Sequence, residues 1–211
     1  MSASPVSADD VDLAVHSAIT LLRRAETDAW DYRAGRLKWT CWETVEHIAD
    51  DLFFFATQLG PRIPPLEGPV PFACEAKRSG GPAVSLRAER TAGSEGLLMV
   101  LESCGALLSA MVRTKPNLLR AYHAAGVSDP EGFAAMGVVE VLVHTHDLAE
   151  GLGLDFTPSP DLCERVLARL FPGAPDDVGP WSALLWSTGR VKLPGRPRRG
   201  EWQWSLAPVE R

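Results

Sequence analysis

The chain has 211 residues, 45% of them apolar and 23% charged, the proportions of an ordinary folded protein, which excludes a disordered or fibrous one. At about 150 residues per domain, this length suggests one domain with at most a sizeable appendage. Its 21 Lys and Arg stand against 27 Asp and Glu, a formal charge of −6, so nucleic acid is not expected as the partner.

The N-terminal MSASPVSADD carries no basic region and no apolar signal core, which points to a cytoplasmic protein. Ser7-Ala8-Asp9-Asp10 has the capping-box spacing, and Val11, Val15, Ile19 and Leu22 follow at helical intervals, predicting a first helix that runs to about Asp28. Thr40-Cys41-Trp42-Glu43 repeats the start signal. Val45, Ile48, Leu52, Phe55 and Leu59 then mark a second helix that stops at Gly60-Pro61.

Prolines break the chain from Pro61 to Pro71. Phe72 to Lys77 and Ala83 to Arg90 alternate around Ser79-Gly80-Gly81-Pro82 and predict a small hairpin. Gly93 to Val112, rich in Leu, Ala and Met, reads as a third helix buried on much of its circumference and placed at the bundle centre. Its apolar stretch from Gly96 is interrupted by Glu102, Ser103 and Ser109 and falls short of the roughly 20 clean residues of a membrane span, so no membrane partner is expected. Asp129-Pro130-Glu131 opens a fourth helix that runs through Leu148 and stops at Gly151-Leu152-Gly153.

After Thr157 the character changes. Ser159-Pro160-Asp161 caps a short helix to Leu170, another covers about Trp181 to Thr188, and alternating Val191/Leu193 and Trp202/Trp204/Leu206 suggest strands. About 55 residues are too few for an independent core, so this α+β tail should pack on the bundle with its tryptophans inward. Cys41, Cys74, Cys104 and Cys163 are far apart with no CxxC pair and read as reduced structural thiols.

Helix four carries the informative chemistry. Glu140 and His144 are four residues apart and Asp147 is three further on, so the three side chains share one side of the helix within Val138, Val139, Val141, Leu142 and Val143. Buried without partners, that stripe would cost several kcal/mol. His47, mid-helix in helix two with Glu43 and Asp51 a turn either side, offers compensation. His47, Glu140 and His144 together make a two-histidine, one-carboxylate set with open coordination positions. The alternative is that His47 bonds Glu43 and that Glu140-His144 is an exposed pair.

The segments WTCWETVEHIADDL (Trp39 to Leu52) and MGVVEVLVHTHDLAEGLG (Met136 to Gly153) resemble the two signature helices of the DinB-like, mycothiol-dependent maleylpyruvate isomerase superfamily of actinobacteria. The resemblance covers residues 1–155. It implies a mainly α fold: a DinB-like, metal-binding four-helix bundle with a small hairpin insertion, and a short α+β C-terminal extension at residues 156–211 packed on it. It further implies that His47, Glu140 and His144 bind a divalent metal, usually zinc. A low-molecular-weight thiol, mycothiol or a similar cosubstrate, would be activated on that metal and attack an electrophilic small molecule. Release of the thiol gives an isomerase, retention a transferase. Asp147 or Asp51 would orient a liganding histidine. The tail is shorter than the isomerase's C-terminal domain, so only the metal site carries over directly. Bundles of this kind exist as monomers or as homodimers formed through helix faces.

Two rival functions stand beside this one. A DinB-like protein can bind metal as a stress-response module without turnover, and His146-Asp147 matches the dipeptide of helical HD-type phosphohydrolases. His146 is expected to face away from His144, His123 to lie on the surface, with approach to the pocket from a loop as its alternative, and Arg196, Arg198 and Arg199 to form a solvated basic loop rather than to grip an anionic substrate group.

Overall fold

The structure, a computed structural model, describes residues 4–208. Helix α1 (Ala8–Leu22) begins as expected: the Ser7 backbone N–H and hydroxyl donate to Asp10 Oδ2 at 2.8 and 2.9 Å. It ends short of Asp28. Val11, Val15, Ile19 and Leu22 are buried, whereas Arg23, Arg24 and Glu26 are exposed and continue no apolar stripe, and a 3₁₀ turn at Ala29–Asp31 seats Trp30 in the core instead.

Helix α2 (Cys41–Leu59) is capped reciprocally, Glu43 N–H donating to Thr40 Oγ1 at 3.1 Å and Thr40 N–H to Glu43 Oε2 at 2.9 Å. Strands β1 (Glu75–Ala76) and β2 (Ala83–Val84) form the expected hairpin, with Glu75 opposite Val84. The ladder is only two residues long because Val84 alone among its residues is buried, leaving no apolar face to lengthen it.

Helix α3 (Gly93–Thr114) buries Leu97, Leu98, Leu101 and Leu108 but leaves Met99 65% and Leu107 50% exposed. It is not the central helix. By length and composition Arg90–Thr114 is apolar enough to cross a membrane, at a mean hydropathy of 1.5; one side of it packs into the helical core. Strands β3 (Ala121–His123) and β4 (Gly126–Ser128) make a second, unanticipated hairpin, closed through Gly126 at φ +137°.

The central element is α4 (Pro130–Leu152), buried almost all round from Phe133 to Thr145. Asp129 caps it, accepting from Gly132 N–H at 2.7 Å, and left-handed Gly153 ends it. Helices α1 and α2 each pack against both α3 and α4, enclosing one core. Helix α5 (Pro160–Leu170) lies on α4, and α6 (Pro180–Ser187) on α5. The fold is mainly α. The strands expected in the tail are absent: among the described residues beyond 155 there is only an isolated bridge between Leu193 and Arg196. Trp202 and Trp204 do turn inward, edge-to-face at 4.8 Å and both against Phe171.

Candidate metal centre

Helices α2 and α4 pack together and bring His47, Glu140 and His144 to one point: a nitrogen of each imidazole and one Glu140 oxygen lie within 4.8 Å of one another. Glu140 Oε2 is 3.2 Å from His144 Nε2 and 4.0 Å from His47 Nε2. Neighbouring ligands on a tetrahedral zinc are roughly 3.4 Å apart, so the three donors need small side-chain shifts only. The two rings meet edge to face at 4.9 Å, and Trp39 packs edge-on against His47 at 4.5 Å. Glu140 and His144 are buried, while His47 keeps 20% of its side chain exposed, so solvent reaches the cluster on the His47 side.

The environment sorts the protonation states. Burial, then the neighbouring His144 and Arg190 charges, pushes His47 down to about 4 against the pull of Glu140, so its ring is neutral. Burial alone would lower His144 too, but Asp147 and Glu140 outweigh it and raise its pKa. Burial would raise Glu140, and the bond and charge of His144, with His47 and Arg190, hold it below the usual carboxylate range.

Asp147 Oδ2 sits 3.0 Å from His144 Nδ1 and accepts a 3.0 Å bond from Arg190 Nη2. Burial would raise the Asp147 carboxyl, but His144 and Arg190 outweigh it and keep it ionised, so it can only accept: His144 Nδ1 carries the proton between them, and Nε2 is the atom turned to Glu140. Arg190, from the stretch after α6, thereby ties the tail to the site. No spacing in the sequence pointed to it. Asp51 Oδ2 lies 3.3 Å from His47 Nε2. Burial first, then the Glu140 and Asp50 charges, raise the Asp51 pKa well above its ordinary value.

The other expected candidates fall elsewhere. Glu43 does not bond His47: it caps α2 and takes two bonds from Arg78, at 2.8 and 2.5 Å. His146 faces away, 3.8 Å from Glu150 and edge-on to Trp181, so an HD-type pairing with Asp147 has no geometry behind it. Arg196 is paired with Asp177, Arg199 lies over Trp186, and Arg198 is exposed. Cys41, Cys104 and Cys163 are buried, which pushes their thiols up to about 11, 11 and 12, and Cys74 is exposed.

His123 is half-buried rather than fully on the surface. It lines a cavity of about 470 Å³ whose wall also includes Glu140 and Asp51. A larger cavity, about 660 Å³, lies between the N-terminal segment, the end of α3 and the start of α4; neither histidine nor cysteine lines it, so it has no part in this chemistry. No family profile, curated protein or solved structure matches the chain.

Proposed function

We propose that the four long helices are a DinB-like bundle whose His47, Glu140 and His144 hold a divalent metal, most suitably zinc, and that the protein is a thiol-using transferase or isomerase acting on an electrophilic small molecule. What supports the reading is the convergence of the three donors from two helices in a buried setting. The donor set itself fits the group. Two imidazole nitrogens and one carboxylate are ligands of catalytic zinc, and a cation there would offset the crowding of the Glu140 and Asp51 carboxyls.

A divalent cation in this position supplies the positive charge that keeps a small thiol, mycothiol or one like it, deprotonated at neutral pH. The chain does the rest. Asp147 and Arg190 fix the His144 ring so that Nε2 presents its lone pair. His47 is neutral and ready to ligate without losing a proton. Asp51, whose Oδ2 lies 3.3 Å from His47 Nε2, is the carboxyl group placed to take the thiol proton. Trp39 shields the cluster beside His47 and His144.

Elemental analysis of protein purified without chelator tests the site. The expectation is about one divalent ion per chain, lost in His144→Ala while the helical circular dichroism survives; equal metal in both proteins would reject the assignment. Metal retained without thiol consumption across several electrophiles would instead assign a non-catalytic metal-binding role.

A further inference from the structure

The cavity that includes Glu140 and Asp51 has an aromatic wall: Phe54, Phe55, Phe72, Trp202 and Trp204. Its charged residues are all acidic, Asp50, Asp51 and Glu140, and among the described residues no Lys or Arg lines it. A substrate carboxylate lodged among those rings, away from the metal that Glu140 would hold, would leave water with no Lys or Arg side chain to meet it. Planar conjugated groups, by contrast, stack well on such rings.

One wall residue offers a donor. The Ala125 backbone N–H donates to His123 Nδ1 at 3.1 Å, so Nδ1 must be the acceptor and the ring proton sits on Nε2. Phe54 and Phe55 pack against the ring at 6.4 and 5.9 Å and hold it in place. Among the described residues Nε2–H has no hydrogen-bond partner. Partial burial, opposed by the Glu140 charge, lowers the His123 pKa, which keeps the ring a neutral donor.

Building on the proposed thiol chemistry, we infer that the substrate is an uncharged, aromatic or conjugated α,β-unsaturated carbonyl compound, with its carbonyl oxygen bound by His123 Nε2–H and its apolar body between the Phe and Trp side chains. The thiolate forms the new S–C bond at the β-carbon. The C=C π pair moves toward the carbonyl, and the charge that develops on oxygen is met by the His123 donor. The proton given up by the thiol ends on the α-carbon, so no oxidant or reductant is needed.

The test compares benzylideneacetone with its para-carboxylate, titrated into metal-loaded protein without thiol and read as quenching of tryptophan fluorescence. The quench is assigned with Trp202→Phe and Trp204→Phe. The neutral compound is expected to bind at least about tenfold tighter. Phe72→Arg, at a half-exposed wall position, should reverse that order. His123→Phe should weaken the ketone but not the matching hydrocarbon, and His123→Gln, which keeps a donor, should restore it. Equal or tighter binding of the carboxylate by the wild type, or no quenching by either compound, overturns the inference. Neutral-selective binding with no thiol addition leaves the cavity assignment standing and sinks the thiol chemistry. Thiol addition without that selectivity does the reverse.

Discussion

His144 is held between two carboxylates, Asp147 at Nδ1 and Glu140 at Nε2, 3.0 and 3.2 Å away. Without a cation this pairing favours the imidazolium, and the raised His144 pKa expresses that. A metal must therefore displace the Nε2 proton. His47, already neutral at about 4, gives up none at ordinary pH. Metal affinity should thus rise with pH by about tenfold per unit while His144 is protonated, and level off above its raised pKa. Competition titrations between roughly pH 5 and pH 8 would read this; a flat profile would contradict it. Asp147→Asn keeps an oxygen acceptor for Nδ1–H but loses the charge, and should weaken metal binding by about 10- to 100-fold with little change in helicity. The i, i+4 Glu-His pair inside a valine run and the mid-helix His47 singled out the three donors, but spacing alone left an exposed pair as the alternative, and the resemblance of the two helices decided for the site. Arg190 was not legible, since its contact with Asp147 spans 43 residues and sits in a segment with no periodicity. For His123 the choice between the surface and the pocket stayed open, because the strands that place it, Ala121–His123 and Gly126–Ser128, are too short to alternate visibly.

At the scale of elements, the capped helices announced themselves, and their relative burial did not. Leu-rich α3 reads as central, yet α4 holds that place because its glycines let neighbours approach. A Cβ on Gly151 would lie 2.4 Å from the Arg33 carbonyl oxygen and 3.0 Å from Ala34 Cα. Those are backbone atoms and cannot swing aside. Gly151→Ala is expected to cost about 1–3 kcal/mol, a melting temperature lower by roughly 2–4 °C per kcal/mol, as α4 is pushed off the segment that carries Trp39. Gly173, whose added Cβ would meet nothing, provides the control: Gly173→Ala should stay within about 0.5 kcal/mol. Differential scanning calorimetry of both variants decides it, and equal melting temperatures would refute the close-approach argument. The missing tail strands have a related origin. Trp202 and Trp204 alternate as a strand would, but their segment bonds to α5 through Ser205 N–H and the Leu170 carbonyl at 2.8 Å, and Pro194, Gly195 and Pro197 leave no second strand to pair with.

At the scale of the molecule, α5 clasps the tail to the first 155 residues with two arginines four apart. Arg169 reaches Asp129, the cap of α4, at 3.1 Å, and Arg165 grips Asp10, in the first turn of α1, with two bonds of 2.6 and 2.7 Å. The change of composition after Thr157 therefore does not mark a detachable unit. Burial would raise the Asp10 carboxyl, but the Arg165 bonds and those from Ser7 outweigh it and leave its pKa depressed. A depressed carboxylate stabilises the fold above its unfolded pKa, and that contribution is lost as pH falls through the lower folded value. Asp10→Asn should then cost about 2–4 kcal/mol in urea unfolding at neutral pH, since it leaves the largely buried Arg165 facing only the exposed Asp161. Below about pH 4 the wild type should lose its advantage as pH falls toward the depressed Asp10 value and Asp10 itself protonates, so the two unfolding curves draw together. A gap that stays constant through that range would mean the asparagine disturbs packing alone and that the clasp is not electrostatic.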